Sequence, residues 1–202
     1  MIKLTHVTKT FDSVPIIDDL DLTIGTGEFV VFSGASGAGK TTLLNLLGGL
    51  ERPDSGQIIV DDRDITNRKN LTEYYRNTVS FLFQNFALIE NKTVKQNLEL
   101  IQKKTRTELT IADALTQVGI KELLNRKIYQ LSGGEQQRVA LARIMLKRSS
   151  IILADEPTGS LDAKNADVVM SILKKLNQAG KTLIVVTHDP RIKQQAERIV
   201  DL

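Results

Sequence analysis

Residues 34–41, Gly34-Ala35-Ser36-Gly37-Ala38-Gly39-Lys40-Thr41, join the apolar run Glu28-Phe29-Val30-Val31-Phe32-Ser33 to a helical pattern that begins near Lys40. This is G-x-x-x-x-G-K-[ST] between a strand and a helix, and its chemistry is the binding of phosphate. Glycines let the backbone curl until successive N–H groups point at phosphate oxygens, where a Cβ would obstruct. Lys40 supplies a point charge for the β- and γ-phosphates, and the Thr41 hydroxyl is placed to ligate Mg²⁺. The helix that continues through Thr42 aims its positive N-terminus at the same anion. The implied ligand is a nucleoside triphosphate.

Two further clusters end apolar runs. Ile151-Ile152-Leu153-Ala154 leads into Asp155-Glu156, with Pro157 stopping further ladder hydrogen bonds. Leu183-Ile184-Val185-Val186 leads into Thr187-His188-Asp189. Ligands of open parallel sheets bind beyond the carboxyl ends of the strands, so all three clusters are expected on one edge. There Asp155 is the expected carboxylate for Mg²⁺, and Glu156 can polarise an attacking water as general base. His188 can sense or hold the γ-phosphate. His6, the other histidine, lies in an N-terminal strand and reads as structural or merely exposed.

The elements that position these groups follow from periodicity. Residues 2–7 and 20–24 predict an antiparallel N-terminal sheet, the second by its apolar–polar alternation. Residues 29–32 form a near-continuous apolar run, the pattern of a strand buried on both faces. A helix over 42–47, a turn at Pro53-Asp54-Ser55-Gly56, and strands at 58–60 and 79–83 follow. From about 93 to 130 strand signals vanish, while Ile111, Leu115 and Val118 recur at helical spacing with Gly119 as the stop. A helix over 135–146 follows. Then α/β alternation resumes with a strand at 151–154, a helix over 163–178 ending before Gly180, and a strand at 182–186. The predicted fold is therefore α/β: a P-loop NTPase core with an N-terminal antiparallel β part and an inserted α-helical subdomain. One domain is expected over 1–202, with 1–92 and 147–202 as core and about 93–146 as insertion.

Composition narrows the classes. The 202 residues suffice for one α/β domain, and a quarter are charged, which argues against disorder. No apolar run reaches the roughly 18–20 residues that span a bilayer, and the N-terminus lacks the long apolar stretch of a signal peptide. A soluble, unexported protein is expected. Absence of cysteine excludes disulfides and thiolate metal sites. The net charge is +3, with Lys and Arg scattered rather than gathered, so no nucleic-acid partner is predicted.

Leu131-Ser132-Gly133-Gly134-Glu135-Gln136-Gln137, followed by Arg138-Val139-Ala140-Leu141-Ala142-Arg143, resembles the signature of the ATP-binding-cassette ATPases, Leu-Ser-Gly-Gly-Gln. Physically the segment reads as a helix N-terminus with Ser132 as cap and an anion-attracting dipole. The resemblance covers the whole chain, and the motifs fall in the family order. It implies ATP with Mg²⁺ as ligands and two chains paired head to tail, each signature covering the γ-phosphate held by its partner. It further implies that Phe11 stacks on adenine and that Gln84 contacts Mg²⁺ and relays ATP state to a membrane subunit. Ser160-Leu161-Asp162 would cross the dimer interface, and His188 falls at the family's switch histidine. Glu135 departs from the usual glutamine, as in many exporter cassettes.

The stretch from Leu71 to Asn77, with Phe83-Gln84-Asn85-Phe86-Ala87-Leu88-Ile89, is similar to the macrolide-exporter, lipoprotein-release and bacteriocin-export group. The resemblance therefore implies an ATPase on the cytoplasmic face of a membrane, peripherally attached, driving a separate permease for export. An alternative is the same ATPase driving a membrane partner mechanically, for signalling or cell-envelope control. A soluble cassette of translation or DNA repair is the third reading. Its usual marks, a second cassette or a long coiled-coil insertion, are missing. The chain's last residue, Leu202, follows soon after the last strand and helix, so no C-terminal regulatory domain is expected.

Overall fold

The computed structural model describes residues 1–159 and 161–202. Strands β1 (Ile2–Phe11) and β2 (Val14–Ile24) form a long antiparallel hairpin. Its two-residue loop, Asp12 (φ 47°) and Ser13 (φ 66°), has the left-handed pair of angles whose twist suits flanking strands. The predicted N-terminal sheet is present and longer than its alternation suggests. The register slips three times, between Leu4 and Val7, between Val7 and Lys9 and between Lys9 and Thr10, which breaks the period of two.

Strand β4 (Ser55–Val60) pairs with β1. The turn predicted at residues 53–56 therefore ends earlier, because Ser55 and Gly56 already belong to the strand. Gly56 (φ 84°) lies where β1 slips in register between Thr5 and Thr8. A Cβ there would fall 2.2 Å from the His6 carbonyl oxygen, so the glycine serves close strand approach across the irregularity. A two-residue strand, β5 (Arg63–Asp64), completes the sheet in the order β2-β1-β4-β5.

The second sheet is parallel throughout. It contains β3 (Phe29–Ser33), β6 (Val79–Leu82), β7 (Ile151–Asp155), β8 (Thr182–Val186) and β9 (Arg198–Asp201), in the order β6-β7-β8-β3-β9. β9 was not among the predicted strands. Alternate residues of the central strands serve two separate cores, as a two-sided sheet requires. Val30, Phe32, Leu153, Ile184 and Val186 pack with helix α1 (Lys40–Leu47) and the antiparallel sheet. Phe29, Val31, Ile152, Ala154, Leu183 and Val185 face the opposite way, into the larger helical core.

Between α1 and β6 lie α2 (Arg68–Glu73) and a π-helical turn (Tyr74–Thr78), neither of them foreseen. The turn is anchored by the buried Tyr74, whose hydroxyl donates to the Leu47 carbonyl at 2.7 Å. After β6 come α3 (Val94–Glu99) and α4 (Ile111–Gln117), with short 3₁₀ turns at Lys103–Thr105, Lys121–Leu123 and Ile128–Gln130. Thr93 caps α3 and Thr110 caps α4, and the chain turns back through Gly119 at φ 70°. Helix α5 (Gly133–Leu146) begins two residues before its expected start. Helices α6 (Ala163–Gln178) and α7 (Pro190–Lys193) complete the fold, α7 opening with proline in its first turn. Among the described residues no helix is long and apolar enough to cross a membrane.

Candidate nucleotide site

The fully buried strand β3 delivers the chain into the glycine loop. Gly34, Gly37 and Gly39 all have positive φ. At Gly39 (φ 86°), the residue that opens α1, a Cβ would meet the Ile16 side chain at 2.8 Å and its carbonyl at 2.9 Å. Loop curvature and contact with β2 therefore both require glycine there. Ala38 donates its N–H to the Ala35 carbonyl at 3.2 Å, which closes the turn. No acidic residue occupies the first turn of α1, so its positive end is left for an anion.

Lys40 is 6% exposed, and its ammonium donates to the carbonyls of Gly34 (3.1 Å) and Ala35 (2.6 Å). Thr41 Oγ1 donates to Asp155 Oδ1 at 3.4 Å, joining the first turn of α1 to the end of β7. Desolvation pushes the Asp155 carboxyl above the usual aspartate range, while the Thr41 hydroxyl and the Lys40 charge pull it back.

Glu156 follows with φ 43°, a left-handed angle uncommon outside glycine. Its backbone N–H donates to the Val186 carbonyl at 2.9 Å, which ties it to the end of β8. Its carboxylate accepts from Thr187 Oγ1 (3.2 Å) and from the His188 backbone N–H (3.1 Å). The His188 ring nitrogen Nε2 lies 3.7 Å from Glu156 Oε1. Thr187 is fully buried, and its hydroxyl also accepts from the Asp189 N–H at 3.0 Å. Sequence reasoning gave Thr187 no role, yet it orients the carboxylate from a position flagged only by its neighbours.

Lys40, Thr41, Asp155, Glu156 and His188 line one cleft of about 390 Å³, together with Phe11, Ile16, Ser36, Gly37, Gly39, Thr42, Gln84 and Val186. Gly34 and Ala35 face Lys40 with their carbonyls instead. Thr41, Asp155 and Gln84 offer hydroxyl, carboxylate and amide oxygens, the hard donors that suit Mg²⁺. Among the described residues no cluster of three or more His, Cys, Asp or Glu side chains could hold a metal alone. A small oxygen set beside a triphosphate pocket fits Mg²⁺, which keeps several waters and shares phosphate oxygens. Ile16 is a lining residue that sequence reasoning missed, since nothing distinguishes it from an ordinary strand residue.

The signature segment lies elsewhere. None of Leu131, Ser132, Gly133, Gly134 or Glu135 lines the cleft. Ser132 caps α5 in a reciprocal box: its N–H donates to Glu135 Oε2 at 2.7 Å, while its hydroxyl accepts from the Glu135 N–H at 3.4 Å. This accounts physically for the acidic residue, since a carboxylate in the first turn also suits the helix dipole. Substituting Glu135→Gln, whose amide oxygen can accept the same bond, should cost only the dipole interaction of the charge, about 0.3–1 kcal/mol. Ser132→Ala should cost about 1 kcal/mol. Urea titrations of both variants check this, and a larger loss for the glutamine variant would assign the carboxylate another task.

Further along α5, Gln137 Nε2 donates to the Pro157 carbonyl at 2.7 Å, and Arg138 bonds the Asn165 side chain. Arg143 donates to the carbonyls of Phe86 (2.9 Å) and Ala87 (2.5 Å), whose backbones have φ of 62° and 47°. Burial pushes the Arg143 guanidinium below its usual range. At the helix end the Lys147 ammonium donates to the carbonyls of Tyr75 and Val79, both at 2.6 Å, and burial pulls it down to about 8. Leu161 packs against the helical core, and Asp162 caps α6 by accepting from the Asn165 N–H at 2.8 Å. Ser160, predicted with them, lies outside the described residues.

A family model described as ABC transporter matches residues 17–159. The ABC transporter ATP-binding protein YvrO of Bacillus subtilis is 39% identical over 212 residues, covering 99% of this chain and 92% of its own. The macrolide export ATP-binding/permease protein MacB 1/2 of Paracoccus denitrificans is 39% identical over 213 residues. That match covers all of this chain and 32% of the relative, so this chain spans about a third of its length. Among solved structures, the dimeric bacterial ABC transporter cassette MJ0796 matches with TM-score 0.91 at 39% identity, covering 100% of this chain and 94% of that one. The same cassette as a dimer in a post-hydrolysis state, bound to ADP and Pi, matches with TM-score 0.89 at 37% identity and the same coverage. A loop built for phosphate, carboxylates gathered on the same sheet edge and a family model matched over residues 17–159 lead to one assignment: this chain belongs to the ABC transporter family, as an ATP-binding cassette.

Proposed function

We propose that the chain is an ATP-hydrolysing subunit that works as a head-to-tail homodimer around two ATP and drives a separate membrane permease. One observation carries the reading. Lys40, Thr41, Asp155, Glu156 and His188 share a cleft, while the N-terminus of α5, with Ser132, Gly133 and Gly134, lies outside it. Each chain thus holds a phosphate cleft and a second, glycine-bearing helix N-terminus that do not meet. A second copy, turned head to tail, brings them together.

Within each site Lys40 and the loop N–H groups orient the triphosphate, and Thr41, Gln84 and Asp155 hold Mg²⁺. Held there, Mg²⁺ would supply positive charge to offset the negative charge of the triphosphate. Glu156, fixed by Thr187 and His188, accepts a proton from the attacking water, and His188 reads the γ-phosphate. Phe11 stacks on the base. Ser132, Gly133 and Gly134 complete the partner's site, and Leu161 and Asp162 border the interface.

The membrane subunit docks beside the Gln84 loop, where residues 93–146 form the inserted subdomain. A groove of about 370 Å³ opens there between the π turn, β6 and α5, lined by Tyr75, Phe81, Phe83, Leu100, Ile101 and Ile144. Arg143 and Lys147 give it two cations bonded to backbone carbonyls. Relatives named as macrolide export proteins support the export reading; the proposed substrate is a drug-like, peptide or lipid-linked molecule, with the cassette on the cytoplasmic face.

The test separates the phosphate cleft from the α5 N-terminus. Ser132→Arg should bind ATP as the wild type does at concentrations where the chain is monomeric. In a Glu156→Gln background the same change should abolish the ATP-dependent dimer measured by analytical ultracentrifugation. Loss of ATP affinity in the monomer would put Ser132 in its own cleft and overturn the head-to-tail reading.

A further inference from the structure

Lys9 stands two residues before Phe11 on β1, and its ammonium lies over the Phe11 ring. Its side chain is 10% exposed, although lysine is almost never buried without partners. The ammonium lies 2.9 Å from Glu51 Oε1, 3.3 Å from Asp54 Oδ1, and 5.0 Å from the centroid of the Phe11 ring. Asp54 is itself fixed: its Oδ2 accepts the Thr10 N–H at 2.7 Å, and its own N–H donates to the Thr8 carbonyl at 2.9 Å. The hydrogen bond from Lys9 holds the Glu51 carboxyl below its usual range, so this partner stays charged.

Phe11 is the opposite case. It sits beside the hairpin loop, is 44% exposed, and lines the nucleotide cleft, whereas Lys9 does not. The ammonium thus lies over a ring that also lines the cleft. An exposed ring at a hairpin tip has several rotamers open to it and loses that freedom on stacking. A fixed cation against one face favours a single orientation in advance. It also draws π-electron density toward itself, leaving the open face better suited to an electron-rich purine.

We propose that Lys9, clamped by Glu51 and Asp54, is a positioning residue for the nucleotide base, holding the Phe11 ring so that its open face meets the base. This rests on the reading of Phe11 as the base platform. Because two carboxylates offset much of the ammonium's field, the effect belongs at the lower end of cation–π magnitudes. Removing it should weaken binding about two- to fivefold.

The test measures dissociation constants of ATP and of tripolyphosphate, which carries no base, by isothermal titration calorimetry. Lys9→Met, which keeps the aliphatic stem, should weaken ATP about two- to fivefold and leave tripolyphosphate unchanged. Lys9→Arg should restore most of the loss. In a Phe11→Ala background, Lys9→Met should weaken ATP no further. Equal losses for both ligands, a full further loss without Phe11, or no loss at all would each overturn the proposal. If Phe11→Ala alone binds ATP normally, the platform itself fails, and the role of Lys9 fails with it.

Discussion

A Glu156→Gln chain retains ATP affinity, loses steady-state turnover by about 10²- to 10⁴-fold, and accumulates as a closed dimer when ATP is added. The substitution is nearly isosteric, and the surrounding donors tell why it isolates the chemistry. The amide oxygen still accepts the His188 backbone N–H at the Oε1 position, and the Thr187 hydroxyl can rotate to accept from the new NH₂. Geometry is kept while basicity is lost. With the proton acceptor gone, the bound state persists and the dimer has no route to reopen through hydrolysis. Phosphate release and sedimentation velocity measure the two consequences independently. Turnover within a few-fold of the wild type would remove Glu156 from the reaction.

Lys40→Ala should weaken ATP binding by roughly 10- to 150-fold, the loss set by one or two charge-assisted hydrogen bonds to phosphate oxygens at about 1.5–3 kcal/mol in all. The side chain is 6% exposed and already directed into the loop, bonded to the Gly34 and Ala35 carbonyls. The ammonium is thus preorganised over the loop, and the positive end of α1 alone supplies a smaller share of the attraction. Folding should survive, since those two carbonyls keep access to water at the cleft edge. Calorimetric titration against ATP, with an unfolding curve as control, decides the matter. Unchanged affinity would mean that the triphosphate binds somewhere other than this loop.

The parts of the site that were legible are those where a buried strand runs straight into chemistry. β3, β7 and β8 are apolar over nearly their whole length, and each hands its C-terminal residue to a charged or glycine-rich segment. What escaped has no such contrast. β9 is four residues with a charge at each end, and it is a strand because β3 offers an unpaired edge to receive it. Helix α2 buries none of its side chains, so it carries no periodic apolar stripe. Gly56 read as turn chemistry because the register slip that requires it is a property of two strands together. Lys9 carries no signal of its own, because the two carboxylates that pair with it lie far along the chain.

Helix α5 has a property that its separate contacts do not convey one by one. Its 14 residues form a rod of about 21 Å that offers almost no axial give. Ser132 stands at one tip, Gln137 holds the residue beside Glu156, Arg143 grips the strand-end loop after Gln84, and Lys147 closes the far tip at the groove. Displacement at either tip is therefore delivered to the other at full amplitude, as by a tie-bar rather than a spring.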